Sequence, residues 1–237
     1  MFKKAVLFGL LLTFLGTNPA DANSCHFKSG FIAGAHVGYT YGSGSFNATF
    51  YSPFPVPTTN SDSGSGKSSS ALIGVIGGYR EVFLPGYTLG LEVTANYMGM
   101  NEIHKQFILI SSPFMNRLKR TYNTVPSVVL GAILNNRWLA TLGLGLGVSR
   151  FHLFVDNRAG GVTAKATSTK LAFVPSLGLE YATSQNISLT GNISYEIYQK
   201  VRSIFNAKVA PDIPNSNYTT SISPKYLTVK AGFVFKF

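Results

Sequence analysis

The chain has 237 residues, of which 12% are charged, with 20 Lys and Arg against 9 Asp and Glu and a single cysteine. One cysteine excludes an intrachain disulfide framework, and nothing after residue 22 approaches the roughly 18 consecutive apolar residues of a membrane-spanning helix. So sparse a charge density argues against a wholly water-facing surface, while the basic balance calls for anionic neighbours.

The chain opens with Lys3 and Lys4, an apolar run over residues 5–15, and Ala20-Asp21-Ala22. A charged head, a short apolar core and an A-x-A site predict a secretory signal peptide over residues 1–22. The run is too short to cross about 30 Å of hydrocarbon as a helix. Cys25 lacks a lipobox leucine before it, so no lipid anchor is expected. Residues 23–237 are then read as one all-β domain.

Eight segments follow in which large apolar side chains alternate with small or polar ones, the period of a strand with one greasy face. They cover about residues 31–41, 71–80, 87–97, 122–134, 138–149, 170–181, 187–197 and 225–237. The third is the cleanest, with Tyr87, Leu89, Leu91, Val93, Ala95 and Tyr97 set against Thr88, Gly90, Glu92, Thr94 and Asn96. The fourth is ambiguous in phase, and Val128, Leu130, Ala132 and Leu134 are taken as its apolar face. Pro126 and Pro175 each remove a ladder hydrogen bond, so each is expected at a bulge.

Such faces need either a second sheet or lipid. The opposite face is glycine-rich and carries isolated charges, as the interior of a narrow barrel does. Connections alternate long and short: about 42–69, 81–86, 98–120, 135–137, 152–166, 182–186 and 199–223. That alternation, with long loops outside and short periplasmic turns, predicts a closed eight-stranded antiparallel up-and-down transmembrane β-barrel. Aromatics fall into two girdles, Phe31, Tyr79, Tyr87, Trp138, Tyr181 and Phe237 near one rim and Tyr39, Tyr41, Tyr97, Tyr122 and Tyr195 near the other.

Residues 30–41 (GFIAGAHVGYTY), 138–149 (WLATLGLGLGVS) and 173–181 (FVPSLGLEY), together with the terminal Phe237, carry a family resemblance. The chain resembles the small eight-stranded outer-membrane barrels of Gram-negative bacteria, OmpA-like and OmpX-like, and more closely the opacity-type surface antigens. The resemblance implies a monomer in the outer membrane, with extracellular loops and periplasmic termini. It also implies that Phe237 resembles the terminal aromatic read by the barrel-assembly machinery. No peptidoglycan-binding domain follows Phe237, so the two-domain OmpA arrangement is not expected.

Within the barrel, Arg80, Glu180 and Lys236 are predicted low, His36, Glu92 and Lys230 near mid-height, and Lys170 and Glu196 high. Isolated interior charges are costly, so each carboxylate is expected to pair with a cation at its own depth. An eight-stranded barrel is just wide enough for side chains to fill, so a salt-bridged plug is expected and a water-filled pore is not. Catalysis is not expected: His104 and His152 lie near the loops, and Asp156 could orient His152, but no nucleophile accompanies them. The four histidines lack metal-ligand spacing, no cofactor is called for, and Gly143, Gly145 and Gly147 read as strand glycines, not a nucleotide loop.

The loops carry the remaining charge. Lys105, Arg117, Lys119 and Arg120 fall in the second, Arg158 and Lys165 in the third, and Lys200, Arg202 and Lys208 in the fourth. Together they are expected to form a basic crown attracting lipopolysaccharide phosphates or sulfated host polyanions. Nucleic acid is excluded as a partner by location and by the lack of a recognition fold. In the first loop, Ser61 to Ser70 is low-complexity and is expected to be mobile. The function expected is that of a non-enzymatic surface antigen with an adhesive role. The alternative is a narrow OmpW-like channel for small or apolar solutes.

Overall fold

The computed structural model describes residues 27–53, 57–83, 86–109, 112–157, 162–207 and 216–237. The expected signal peptide and Cys25 lie outside them. The strands are β1 (Gly30–Ser52), β2 (Thr58–Phe83), β3 (Tyr87–Leu109), β4 (Ser112–Asn135), β5 (Trp138–Asn157), β6 (Val162–Ala182), β7 (Ile187–Tyr198), β8 (Val201–Ala207) and β9 (Ser216–Lys236). Successive strands from β1 to β7 pair antiparallel, β7 pairs with β9, and β9 closes on β1 from Ile32↔Lys236 to Tyr51↔Asn217. The ring is therefore an eight-stranded antiparallel barrel. The ninth strand, β8, continues the line of β7 after a break at Gln199 and Lys200 and, among the described residues, pairs only with β9.

At the short-turn end, Asn135 Oδ1 accepts from the backbone N–H of Arg137 and Trp138, both at 2.9 Å. Gly86 enters β3 at φ 101°, a left-handed conformation that glycine adopts without strain. Phe27 folds into this mouth beside Ile133, Leu139 and Ala182, and the Lys236 ammonium lies 4.0 Å from its ring centre. The interior is stoppered there by a side chain from outside the strands.

The expected long loops are largely strand. β1 and β2 run in unbroken register from Gly30↔Arg80 to Ser52↔Thr58, so Ser61 to Ser70 are paired residues and not a mobile loop. The physical reason is an inversion of polarity. In lower β1, Val37 and Tyr39 face out and His36 and Thr40 face in; in the upper part Phe46, Ala48 and Phe50 are buried. Ser45 and Asn47 point to the opposite side. A strand above the membrane meets water on its outer face, so its polar face reads as loop when the apolar face is sought outside.

A membrane strand needs only about 9–11 residues, whereas β2 has 26. The ladder between β2 and β3 ends at Leu72↔Met98, and that between β6 and β7 ends at Ala172↔Tyr198. Above those points the wall divides into two four-stranded sheets, β8–β9–β1–β2 and β3–β4–β5–β6. Their inner faces share one apolar core. Phe46 meets Phe107 edge-on at 6.2 Å, and Phe114 stacks on Tyr218 at 4.8 Å. A lipid-spanning barrel thus continues into a sandwich-like head.

Neither proline makes a bulge. Pro126 pairs with Val93, and Pro175 with Leu144, without a register shift. Each proline omits two residue pairs from the ladder on its other side, so the missing N–H is absorbed by a gap instead of an extra residue. The bulges fall elsewhere: between Tyr97 and Asn101, between Arg120 and Asn123, and between Ile133 and Asn135. In β4, Val128, Leu130 and Leu134 are exposed as chosen, but Ala132 is buried beside the third bulge.

Proteolysis of the folded protein in detergent micelles checks the head. Residues 61–70 are expected to resist cleavage despite their Ser/Gly composition. Phe46→Ala removes a fully buried ring, a change of about 3–5 kcal/mol, and is expected to open cleavage sites there while the heat-modifiable gel shift of the membrane barrel persists.

Candidate functional site

Three layers fill the barrel from the turn end upward. In the lowest, Arg80 lies between two carboxylates, with Nη2 2.8 Å from Glu92 Oε1 and Nη1 2.7 Å from Glu180 Oε2. Lys236 Nζ adds a contact to Glu180 Oε1 at 3.0 Å. The sequence placed Glu92 a level higher, with His36 and Lys230. The reach of the guanidinium, which can hold two carboxylates at once, draws Glu92 into the lower layer.

Above it is a chamber of about 90 Å³, lined by His36, Asn96, Asn192, Thr228 and Lys230 among others. Interior glycines make room for the large side chains around it. A Cβ at Gly38 would press on the Lys230 stem, and one at Gly74 would strike the His36 imidazole.

The upper layer is built on Arg120. This side chain, expected in the basic crown, is fully buried inside the barrel, where Nη1 is ion-paired with Glu196 Oε2. The guanidinium carbon lies 3.6 Å from the Tyr226 ring centre and 5.6 Å from that of Tyr198. Tyr198 Oη donates to Glu196 Oε2 at 2.8 Å. The cause is the pair of bulges just below. One extra residue in β4 reverses its phase between Asn123 and Arg120, so Phe114, Asn116, Leu118 and Arg120 all face in. That period-two set was present in the sequence. The dense basic run around it, Arg117-Leu118-Lys119-Arg120, concealed it.

Glu196 also fixes the direction of a polar relay. As an acceptor-only carboxylate it takes a hydrogen bond from Asn123 Nδ2 at 3.1 Å. Asn123 Oδ1 then accepts from Asn96 Nδ2 at 2.7 Å, and Asn96 Oδ1 from His36 Nε2 at 2.6 Å. In that network His36 Nε2 is the donor. Lys170, expected as the high partner of Glu196, points inward but makes no ion pair among those found in the described residues; Arg120 takes that place.

The remaining basic residues do not form a crown of loops. Lys105 is half-buried, its stem lying against Gly64 of β2. Lys200 and Arg202 are exposed at the β7–β8 break, and Arg158 and Lys208 lie outside the described residues. The others climb the outer wall of one sheet. Lys119 pairs with His152 on one side and Glu102 on the other, and Arg117 with Phe154 and His104; His152 and Phe154 pair in turn with Thr167 and Lys165. Arg117 and Lys165 bracket the Phe154 ring at 5.7 and 5.4 Å. Arg150 stands one step lower, level with Tyr122. Burial, and then Lys165, Arg150 and Lys119, hold the His152 pKa below its ordinary 6.5. His152 Nδ1 lies 3.0 Å from Thr167 Oγ1. Phe237, the expected assembly signal, is exposed at the end of β9, its N–H bonded to Phe31 O at 2.9 Å.

No protein-family model matches the chain, and no curated protein matches it. Its fold is found among solved outer-membrane proteins. The outer membrane protein OprG from Pseudomonas aeruginosa is 13% identical, with TM-score 0.59, over 90% of this chain and 98% of that one. The outer membrane protease OmpT from Escherichia coli is 8% identical, with TM-score 0.50, over 88% and 97%. Ail, the attachment invasion locus protein of Yersinia pestis, is 10% identical, with TM-score 0.36, over 88% and 100%.

Two measurements check this geometry. Arg120→Ala strands a buried carboxylate and is expected to destabilise the folded protein by about 3–5 kcal/mol; the Arg120→Ala/Glu196→Gln double variant should lose less than the sum of the singles in urea unfolding. NMR titration of His152 should show its pKa rising in Lys165→Gln. Because the folded-state pKa is lowered, the unfolded chain takes up that proton first as pH falls through 6.5, and stability declines there.

Proposed function

We propose that this barrel, whose fold is that of the small outer-membrane proteins, is a non-enzymatic and non-conducting surface protein that acts through the outer wall of its extracellular half. The observation that carries the reading is the outward strip of Arg150, Lys119, His152, Arg117 and Lys165 on β4, β5 and β6. It begins level with the Tyr122 aromatic girdle. At about 3.3 Å per residue its first rows lie within roughly 10 Å of that girdle, the depth of lipid headgroups. The partner of such a strip is the anionic phosphate layer of lipopolysaccharide, with sulfated host glycans as the soluble counterpart of the same chemistry. Antigenic exposure follows from the height of the head.

The interior supports the non-conducting part. Ion-paired layers lie above and below the chamber, Phe27 stoppers the lower mouth, and an apolar aromatic core fills the head. A solute following the barrel axis would have to displace all of them. The surroundings of His152 favour binding over catalysis, because its charged neighbours are cations and its ring partner is a threonine hydroxyl. A general base would instead be oriented by a carboxylate.

Binding of the folded protein to lipopolysaccharide vesicles, read against salt, tests the proposal. Lys119→Glu with Lys165→Glu is expected to weaken binding at least tenfold and to flatten its salt dependence, while Lys200→Glu with Arg202→Glu has a smaller effect. Equal binding by all variants would remove the strip from the reading. Planar-bilayer recordings are expected to be silent, and reproducible conductance steps would favour the channel alternative.

A further inference from the structure

We propose that the mid-barrel chamber is a binding site for a small inorganic anion of chloride size, seated on the Lys230 ammonium between the two ion-pair layers. This goes beyond the surface role and does not depend on it.

The first argument is charge balance. Among the described inward-pointing residues, the cations Arg80, Arg120, Lys170, Lys230 and Lys236 stand against the carboxylates Glu92, Glu180 and Glu196. All three carboxylates are engaged by cations other than Lys230: Glu92 and Glu180 by Arg80 and Lys236, and Glu196 by Arg120. Hydrogen bonds from Asn123, Tyr198 and Thr228 further occupy Glu196. No carboxylate of the described residues lies within salt-bridge distance of Lys230. A lone ammonium in a protein interior is costly until a counter-charge reaches it.

The second argument is the neighbourhood. Asn192 is the direct cross-strand partner of Lys230, on the adjacent strand β7. Its Oδ1 is buried with no hydrogen-bond partner. Turned over, the same amide points its N–H groups into the chamber beside the ammonium. On the other side, Lys230 pairs with Gly38 of β1. The glycine leaves the lysine stem no side chain to push it out of the chamber.

Size then selects the ligand. The chamber of about 90 Å³ holds the equivalent of about three waters. A monatomic anion with one or two waters fits, and a solute of more than a few heavy atoms does not. The His36 proton is committed to Asn96, so the donors left to the anion are Lys230 and Asn192.

Crystals of the full-length folded barrel grown with bromide in place of chloride test the site. An anomalous peak at hydrogen-bonding distance from Lys230 Nζ is expected, and it should vanish in Lys230→Met. In detergent at constant ionic strength, the unfolding midpoint should rise with bromide or chloride relative to gluconate, which is too large for the chamber. Lys230→Met and Lys230→Gln should both lose that dependence; the heated-versus-unheated gel shift selects the variant that folds for the comparison. The proposal is overturned if only ordered water bridges Lys230 to Glu92 or Glu196, if the bromide peak persists without the ammonium, or if halide dependence is equal in wild type and variant.

Discussion

A strand that leaves a membrane keeps its two faces while the solvents on them change. Below the Tyr39–Tyr97–Tyr122 girdle the outer face meets lipid, so Val37, Leu91 and Leu130 point outward and the polar groups are enclosed. Above it the outer face meets water, and the apolar residues must turn inward. β1 meets this demand without altering its register, by exchanging residue types at Gly42 and Gly44. β3 and β4 meet it by inserting residues and reversing phase. Both solutions give the same product, a head whose core is as apolar as the membrane wall below it is on the outside.

The bulges that reverse phase also create the upper ion-pair layer. Carrying Arg120 inward would leave a buried guanidinium unpaired, and Glu196, Tyr198 and Tyr226 on the opposite side of the barrel meet it. That layer separates a polar chamber from an apolar aromatic core. It also orients the Glu196–Asn123–Asn96–His36 relay, because a carboxylate can only accept. Side chains fill the lumen, and that filling rests on a few pairs whose removal can be measured.

The barrel class was legible because period-two alternation and the spacing of Asn135, Asn136 and the other short turns are local properties. The interior membership of Arg80, Glu92, Glu180, Glu196, His36 and Lys230 was legible for the same reason. Their partners were not. Which cation reaches which carboxylate depends on strand stagger and side-chain reach, and so Glu92 joined the lower layer and Arg120 displaced Lys170. The head was misread as loop at Ser61 to Ser70 because its outer residues are small and polar, the composition shared by flexible linkers and by water-facing strands.

The outward strip shows the same division. Its residues stand in the sequence as a diffuse excess of Lys and Arg around 105–120 and 150–165, enough to anticipate an anionic partner. Only the tertiary structure sets Lys105 of β3 against β2 and turns Arg120 of β4 into the core, while the registers of β4 with β5 and of β5 with β6 gather Arg117, Lys119, His152 and Lys165 on one wall. The side-chain period, a property of the sequence alone, marked the segments that span the membrane and, apart from Ala132 in the ambiguous fourth, the face of each that meets lipid; it did not mark the strands of the head. The tertiary structure decided which charges meet and which remain unmatched inside. Those outcomes depend on distances across a closed ring, and adjacency along the chain does not carry them.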